Sequence, residues 1–446
     1  MIDIKDLRER PEIYKENTKK RGKNIAIIDR ILKIDGQWRK AKVRADSLRA
    51  ERNKVSKSIN QYKKQGKDVT TLIKKAKELP EQIRKAEEDE ALSFNQLNKE
   101  IYSIPNLMHP NVPFGKTDKD NVEVKKIGKP LKFNFPVKTH QELGKHLDIL
   151  DFETSASTSG NGFYVLKGDL ALLNQALIRF VIDKMISKDY VYIETPLMLR
   201  EDVIKNVTDL NDMVNQIYKV EGEDLYLIGT SEHSMIGRYI QQTIPEDELP
   251  IKNTSYSMCF RREIGSHGID EKGLYRTHQF NKVEMIIICK NDVKESMKYF
   301  EEAKEIAVEV FKDLGIPIRI LEICSGDLGN LKYKQVDIEA WSPKLKDYYE
   351  VGSCSNLTDA QARKLGIRVV TRRAERYTPH TLNNTAIATS RALIAILENY
   401  QQKDGSVKIP KVLWKYMNGK KTIEIKKEKK MKKDVKEKTK VKKGGK

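Results

Sequence analysis

A chain of 446 residues, 33% of them charged and 39% hydrophobic, is too long for one compact core and implies two domains plus exposed helical surface. No apolar run approaches the roughly 20 residues that cross a bilayer, the best being MIIIC at 285–289, which argues against a membrane protein. The net charge of +20 suits polyanionic partners, and the four dispersed cysteines (Cys259, Cys289, Cys324, Cys354) form no CxxC pair, against both a disulfide framework and a structural zinc site.

The opening MIDIKDLRERPEIY is charged throughout and rich in acids, unlike a signal or transit peptide, so a cytoplasmic location is expected. Residues 27–62 then carry a heptad, with Ile27, Ile34, Ala41, Leu48, Val55 and Tyr62 on one seam position and Ile31, Trp38, Ala45 and Ile59 on the other. Gln65-Gly66-Lys67-Asp68 breaks the pattern, which resumes through Leu72, Leu79, Ala86 and Ser93 with Ala76, Ile83, Leu97 and Ile104 beside it. Two long helices joined by a short turn predict an antiparallel coiled-coil arm over about 27–104, with a kink or a late start at Pro80. At about 1.5 Å per residue such an arm reaches on the order of 50 Å. Between Asp29 and Lys67 stand 13 Lys/Arg and four Asp/Glu, against six and seven between Thr71 and Ile104. One helix is basic and its partner is not, a pattern that suits phosphates.

Pro105, Pro110 and Pro113 mark a boundary, giving domains at 1–110 and 111–419. Beyond it, strand-like runs at 191–194, 224–228, 254–263, 275–289, 317–323, 334–341 and 347–351 mix with helices at 168–188, 293–313 and 386–402. No GxGxxG or GxxxxGK[ST] occurs, so an α+β fold on an antiparallel sheet is expected rather than a Rossmann or P-loop domain. From Lys420 to Lys446, 14 lysines face four acids, which predicts a disordered tail at 420–446.

The densest chemistry lies in CFRREIGSHGIDEKGLYRTHQFNKVEM, Cys259 to Met285, two strand-like runs around a polar, glycine-bearing tip. Phe260-Arg261-Arg262-Glu263, then Arg276 and His278-Gln279-Phe280-x-x-Val283-Glu284, resemble motif 2 of class II aminoacyl-tRNA synthetases. Residues 382–401, with Arg391, resemble motif 3, and the segment ending at Pro196 resembles the dimer-forming motif 1. Thr230-Ser231-Glu232-His233, YYEVGSCSN at 348–356, LENYQ and the arm in front are similar to the seryl-tRNA synthetase family.

That resemblance implies a class II catalytic domain behind a tRNA-binding arm, in a cytoplasmic homodimer. It would activate L-serine with ATP and pass it to tRNA(Ser), and to tRNA(Sec) where present. The nucleophile is an ionised carboxylate, so catalysis rests on alignment and on stabilising charge at phosphorus. The family's roles give Arg261 the α-phosphate, Arg391 the γ-phosphate and Arg276 the folded-back triphosphate, because guanidinium forks match phosphate oxygens. Phe280 would stack on adenine, with Arg391 on its other face, and Glu263 would accept its amino group. Arg262, Thr277, Val351 and Gly352 match further ATP contacts. Glu350 and Ser353 would help ATP oxygens hold Mg²⁺. Glu284 resembles the anchor of the serine ammonium and Thr385 the partner of its hydroxyl, with Thr230, Ser231, Glu232, Arg261 and Asn383 around them. The tip, residues 264–274, is expected to meet the tRNA acceptor end.

Arg262, Gly352, Asn384 and Pro379 depart from the residues usual at their positions. Another class II synthetase, threonyl or prolyl, lacks the expected anticodon-binding domain after motif 3, since only the lysine-rich tail follows 418. A catalytically silent RNA-binding relative would tend to lose the phosphate arginines.

Overall fold

The computed structural model describes residues 2–208, 216–263 and 273–424. It divides into two compact units, Met1–Met108 with Gly329–Leu331, and the remaining residues.

In the first unit two short helices, α1 (Ile4–Glu9) and α2 (Pro11–Lys20), lead into α3 (Ala26–Lys64) and α4 (Thr70–Ile101). Asp3 caps α1 by accepting from the Lys5 amide at 2.8 Å, and Pro11 opens α2 where no amide donor is needed. Lys42 meets Glu90 at 3.4 Å and Arg49 meets Glu87 at 2.7 Å, so partner numbers fall on one helix as they rise on the other. The pair is antiparallel. At its base Ile28, Ile31 and Ile34 pack with Leu97 and Ile101, and the Trp38 and Phe94 rings lie 5.5 Å apart. Pro80 does not delay the start of the second helix: α4 runs through it from Thr70. Burial of Leu79, Ile83 and Ala86 on α3 offsets the backbone hydrogen bond that proline removes. Ion pairs from Arg30, Lys42 and Arg49 to acids of α4 answer part of the α3 charge, while Lys40, Arg44, Lys54 and Lys57 stay exposed.

The second unit is built on an eight-stranded sheet. Its strands are β1 (Val122–Ile127), β2 (Val191–Tyr192), β3 (Ile251–Phe260), β4 (Gln279–Cys289), β5 (Ile318–Glu322), β6 (Lys334–Ser342), β7 (Asp347–Thr358) and β8 (His380–Ala388). They lie in the order β1-β5-β6-β7-β8-β4-β3-β2 and are antiparallel, except that the edge strand β2 runs parallel to β3. Helices α5 (His140–Leu147), α6 (Asp169–Ser187), α7 (Ser231–Gly237), α8 (Val293–Asp313), α9 (Ala360–Leu365) and α10 (Thr389–Asn399) surround it.

Alternation along β4 explains the layering. Val283, Met285, Ile287 and Cys289 point into the larger core with the helices α6, α8 and α10. On the opposite face Ile286 and Ile288 enter a second core with Met235, Ile236 and Leu365. The same face at the other end of the strand carries Phe280, Lys282 and Glu284. A strand covered on both sides at one end thus becomes the floor of a polar pocket at the other.

Three expectations change. The helix predicted at 386–402 is present as α10 but starts three residues later, because β8 stays paired with β4 through Ala388 before the chain turns. β1 was not foreseen: its short Val-Glu-Val-Lys alternation marks no buried face, since Val122–Lys126 are all exposed. The tail does not begin at 420: Thr422–Ile423 pairs with Val407–Lys408 and Ile423 is fully buried. The remainder of the lysine-rich segment, 425–446, and the 264–272 portion of the hairpin tip lie outside the described residues.

Candidate active site

Two β-bulges set the pocket. On β7 the register shifts by one between Glu350 and Gly352, so that Glu350 pairs with Glu339 and Ser353 with Asp337. Residues three apart in a regular strand face opposite ways; the bulge puts Glu350 and Ser353 on one face. On β8 a shift between Thr385 and Ile387 likewise brings Thr385 and Ala388 to the face of Glu284 and Lys282.

Around that face lies a pocket lined by Arg261, Glu263, Tyr275, Thr277, Phe280, Lys282, Glu350, Val351, Gly352, Thr385, Ala388, Ser390 and Arg391. Arg261 leaves the end of β3, donates from Nε to the Gly229 carbonyl at 3.2 Å and lies 5.3 Å from the Phe280 ring. Arg391, in the first turn of α10, donates to the Glu350 carbonyl (3.0 Å), pairs with its carboxylate (3.0 Å) and lies 4.6 Å over the Tyr275 ring. Burial pushes the Glu350 carboxyl up, but Arg391 more than offsets this and holds it below the usual carboxylate range. Arg276 and Glu263 pair with each other at 3.2 Å.

Beside Glu350, Asp337 is raised to about 7 by burial and by the Glu350 charge. Gln335 donates to Asp337 (2.7 Å) and to the Ser353 hydroxyl (3.0 Å).

Deeper in, Glu284 is 1% exposed, pairs with Lys282 at 2.7 Å and accepts from the Thr385 hydroxyl at 3.1 Å. Glu232 accepts from Gln361 of α9 at 2.8 Å and from Asn383, and burial and then the Glu284 charge raise its carboxyl. Burial, Lys282 and Arg261 push the neighbouring His233 down to about 3, so it is neutral. The Asn383 carbonyl oxygen is buried without a hydrogen-bond partner among the described residues.

Not every predicted residue faces this space. The Thr230 hydroxyl caps α7, accepting from the Glu232 amide at 3.2 Å, and the fully buried Ser231 donates to the Ser255 carbonyl. Arg262 is held through its amide by the Gln216 carbonyl at 2.9 Å and does not line the pocket, nor does Ser353. Asn384 turns to the opposite face, donating to the Ala303 carbonyl at 2.6 Å, so its departure from the family pattern stays out of the pocket. A side chain on Gly352 would place its Cβ 3.3 Å from the Thr385 carbonyl.

Sequence reasoning missed Tyr275, Lys282, Gln335, Asp337, Gln361 and Ser390. Lys282 was legible: Phe280, Lys282 and Glu284 follow the period of two that puts them on one strand face. Gln335 and Asp337 reach the site through the pairing of β6 with β7, and Tyr275, Gln361 and Ser390 through tertiary packing, neither of which spacing reveals.

Residues 1–108 match the family model described as the seryl-tRNA synthetase N-terminal domain, and 216–400 match the tRNA synthetase class II core domain (G, H, P, S and T). A serine–tRNA ligase of Methanocella arvoryzae is 44% identical over 94% of this chain and 99% of its own length. The chain belongs to the seryl-tRNA synthetase family. One from Pyrococcus furiosus is 41% identical over 96% of this chain and 98% of its own. The crystal structure of the Pyrococcus horikoshii seryl-tRNA synthetase complexed with ATP superposes with a TM-score of 0.90, at 40% identity, covering 96% of this chain and 100% of that one. A Naegleria fowleri cytoplasmic serine–tRNA ligase in complex with AMP gives 0.84 at 32% identity, over 93% and 96%. Like other seryl-tRNA synthetases, the chain activates serine with ATP and charges tRNA. Among the described residues no helix is long and apolar enough to cross a membrane.

Proposed function

We propose the following division of labour in the pocket. Arg261 sits where it meets both the α-phosphate of ATP and the serine carboxylate; a carboxylate oxygen attacks the α-phosphorus, and the bond to pyrophosphate breaks. Arg391, Arg276 and Thr277 take the outer phosphates, and Phe280 with the backbone of Val351 and Gly352 receives adenine. The Glu263–Arg276 pair opens as Glu263 turns to the adenine amino group. In the second step a terminal ribose hydroxyl of the tRNA attacks the adenylate carbonyl and AMP leaves.

Serine is held by Glu284, Glu232 and Asn383 at its ammonium and by Thr385 at its hydroxyl. The observation that carries this reading is the buried Glu284, fixed by Lys282 and Thr385, with Asn383 two residues before Thr385 on β8 and its oxygen unpaired among the described residues. A site whose buried polar groups await a substrate hydroxyl rejects the analogue lacking it by about 10⁴-fold or more, which is the expected ratio of serine to alanine.

Mg²⁺ would come to the site with its nucleotide, held mainly by phosphate oxygens. Glu350 in the pocket and Ser353, outside its lining but on the same strand face, would offer it two hard oxygens. Mg²⁺ so held would neutralise phosphate charge.

The exposed Lys40, Arg44, Lys54 and Lys57 of α3 supply the phosphate contacts for the tRNA body. Because this grip ignores the anticodon, the same enzyme would serve tRNA(Sec) in a cell that has it. Leu172 (55% exposed), Ile186 (50%) and Val191 (61%) are exposed apolar residues of α6 and β2, and with the Arg179–Asp183 pair between them they would lie in the interface of a homodimer. A cytoplasmic location follows from the substrates.

ATP–pyrophosphate exchange across a panel of amino acids tests the site. Exchange with serine and none with alanine, threonine or proline is expected; exchange driven by threonine or proline would refute the assignment of Glu284 and Thr385.

A further inference from the structure

Behind the pocket a line of buried polar groups crosses the second unit. Ser342, at the end of β6, donates to Glu398 of α10 at 2.5 Å. The other Glu398 oxygen lies 3.3 Å from His140 Nδ1, at the start of α5. His140 Nε2 lies 3.2 Å from the Leu274 amide, on the return limb of the motif 2 hairpin. Ser342, Glu398, His140 and Leu274 are 1%, 4%, 8% and 0% exposed.

An amide N–H only donates, so Nε2 carries no proton and the neutral ring keeps its proton on Nδ1, donating to Glu398. This is not a nucleophilic triad: the carboxylate, not the imidazole, meets the serine hydroxyl, and no member faces the pocket. The line ends on the residue before Tyr275, whose ring carries Arg391 at 4.6 Å and meets Tyr349 edge-on at 5.6 Å. Gly273 sits against the same ring: with φ at 82°, a Cβ there would stand 2.2 Å from His140 Nε2. Only glycine lets the limb approach so closely.

We propose that His140 is a positioning residue for the ATP side of the pocket, holding the Leu274 amide and through it the Tyr275–Arg391 stack. The return limb enters β4 only at Gln279, five residues beyond Leu274. The imidazole ties that limb to α5, and Glu398, on the helix that bears Arg391, joins both partners of the stack to one network.

The inference rests on the assignment of Arg391 to ATP. Two substitutions separate the ring's contacts. His140→Gln places an amide oxygen where Nε2 stands and keeps an acceptor for Leu274. His140→Asn keeps a donor near Glu398 and is too short to reach Leu274. In exchange assays, KM for ATP is expected to rise about 10- to 100-fold in His140→Asn and to stay within about threefold in His140→Gln, since only the former leaves a buried donor unpaired. KM for serine is expected to be unchanged in both. Gly273→Ala, which drives a methyl onto Nε2 from the hairpin side, is expected to reproduce the His140→Asn effect and serves if that variant does not fold. Equal KM for ATP in the two His140 variants, or a normal value in His140→Asn or Gly273→Ala, overturns the proposal. Arg391→Ala, measured alongside, keeps the outcomes apart: if it is inactive while His140→Asn is normal, the anchor fails and the ATP assignment stands.

Discussion

Truncation of Arg391 is the perturbation whose size follows most directly from the geometry. The guanidinium is held on three sides, by the Glu350 carbonyl and carboxylate at 3.0 Å each and by the Tyr275 ring at 4.6 Å. It is therefore positioned before ATP arrives and spends little entropy on binding. A charged hydrogen bond contributes about 1.5–3 kcal/mol, so losing a two-pronged phosphate contact in Arg391→Ala costs about 3–5 kcal/mol, or roughly 200- to 5,000-fold in kcat/KM for ATP. Arg391→Lys keeps the charge and loses the fork and the stack, which leaves a loss of about 10- to 100-fold. Exchange kinetics with ATP and serine varied separately, beside circular dichroism to verify folding, provide the measurement. An Arg391→Ala enzyme within tenfold of the parent, or one whose defect lies in KM for serine, refutes the reasoning.

Other predictions address the rest of the molecule. Lys282→Met leaves the Glu284 carboxylate buried without its cation and is expected to lower stability by about 3–5 kcal/mol in urea unfolding, while Lys282→Met with Glu284→Leu recovers much of that and gives no serine-dependent exchange. Removing residues 35–95 is expected to spare adenylate formation and to abolish tRNA charging; normal charging would sink the role of the arm. Replacing Lys40, Arg44, Lys54 and Lys57 together by glutamine is expected to flatten the log–log salt dependence of tRNA affinity by about 3, with adenylate formation unaffected. Chelation of divalent metal is expected to stop exchange reversibly, with Mg²⁺ restoring it, and Ser353→Ala to raise the Mg²⁺ requirement.

Much of this was legible in the chain. Heptads settle the arm because a seam of apolar residues every 3.5 positions has one way to be buried, and the ion pairs that cross it follow from the same register. Resemblance to the family's motifs singled out Arg261, Phe280, Thr385 and Arg391, which line one pocket, because motif residues keep their spacing along single strands and one helix. Lys282 needed only the strand period.

What the sequence could not disclose were contacts between segments far apart in it. Glu350 and Ser353 share a face only because a bulge against β6 shifts the register. Tyr275 meets Arg391 across 116 positions, Gln361 meets Glu232 across 129, and Leu274 meets His140 across 134. The sequence by itself determined which chemical groups the protein owns and the local period that sends each to one side of a helix or strand, because both are properties of neighbouring residues. Only the tertiary structure decided which carboxylate is paired, which is raised and which ring holds the motif 2 hairpin. Those depend on the partner that packing delivers and on how much water it leaves behind.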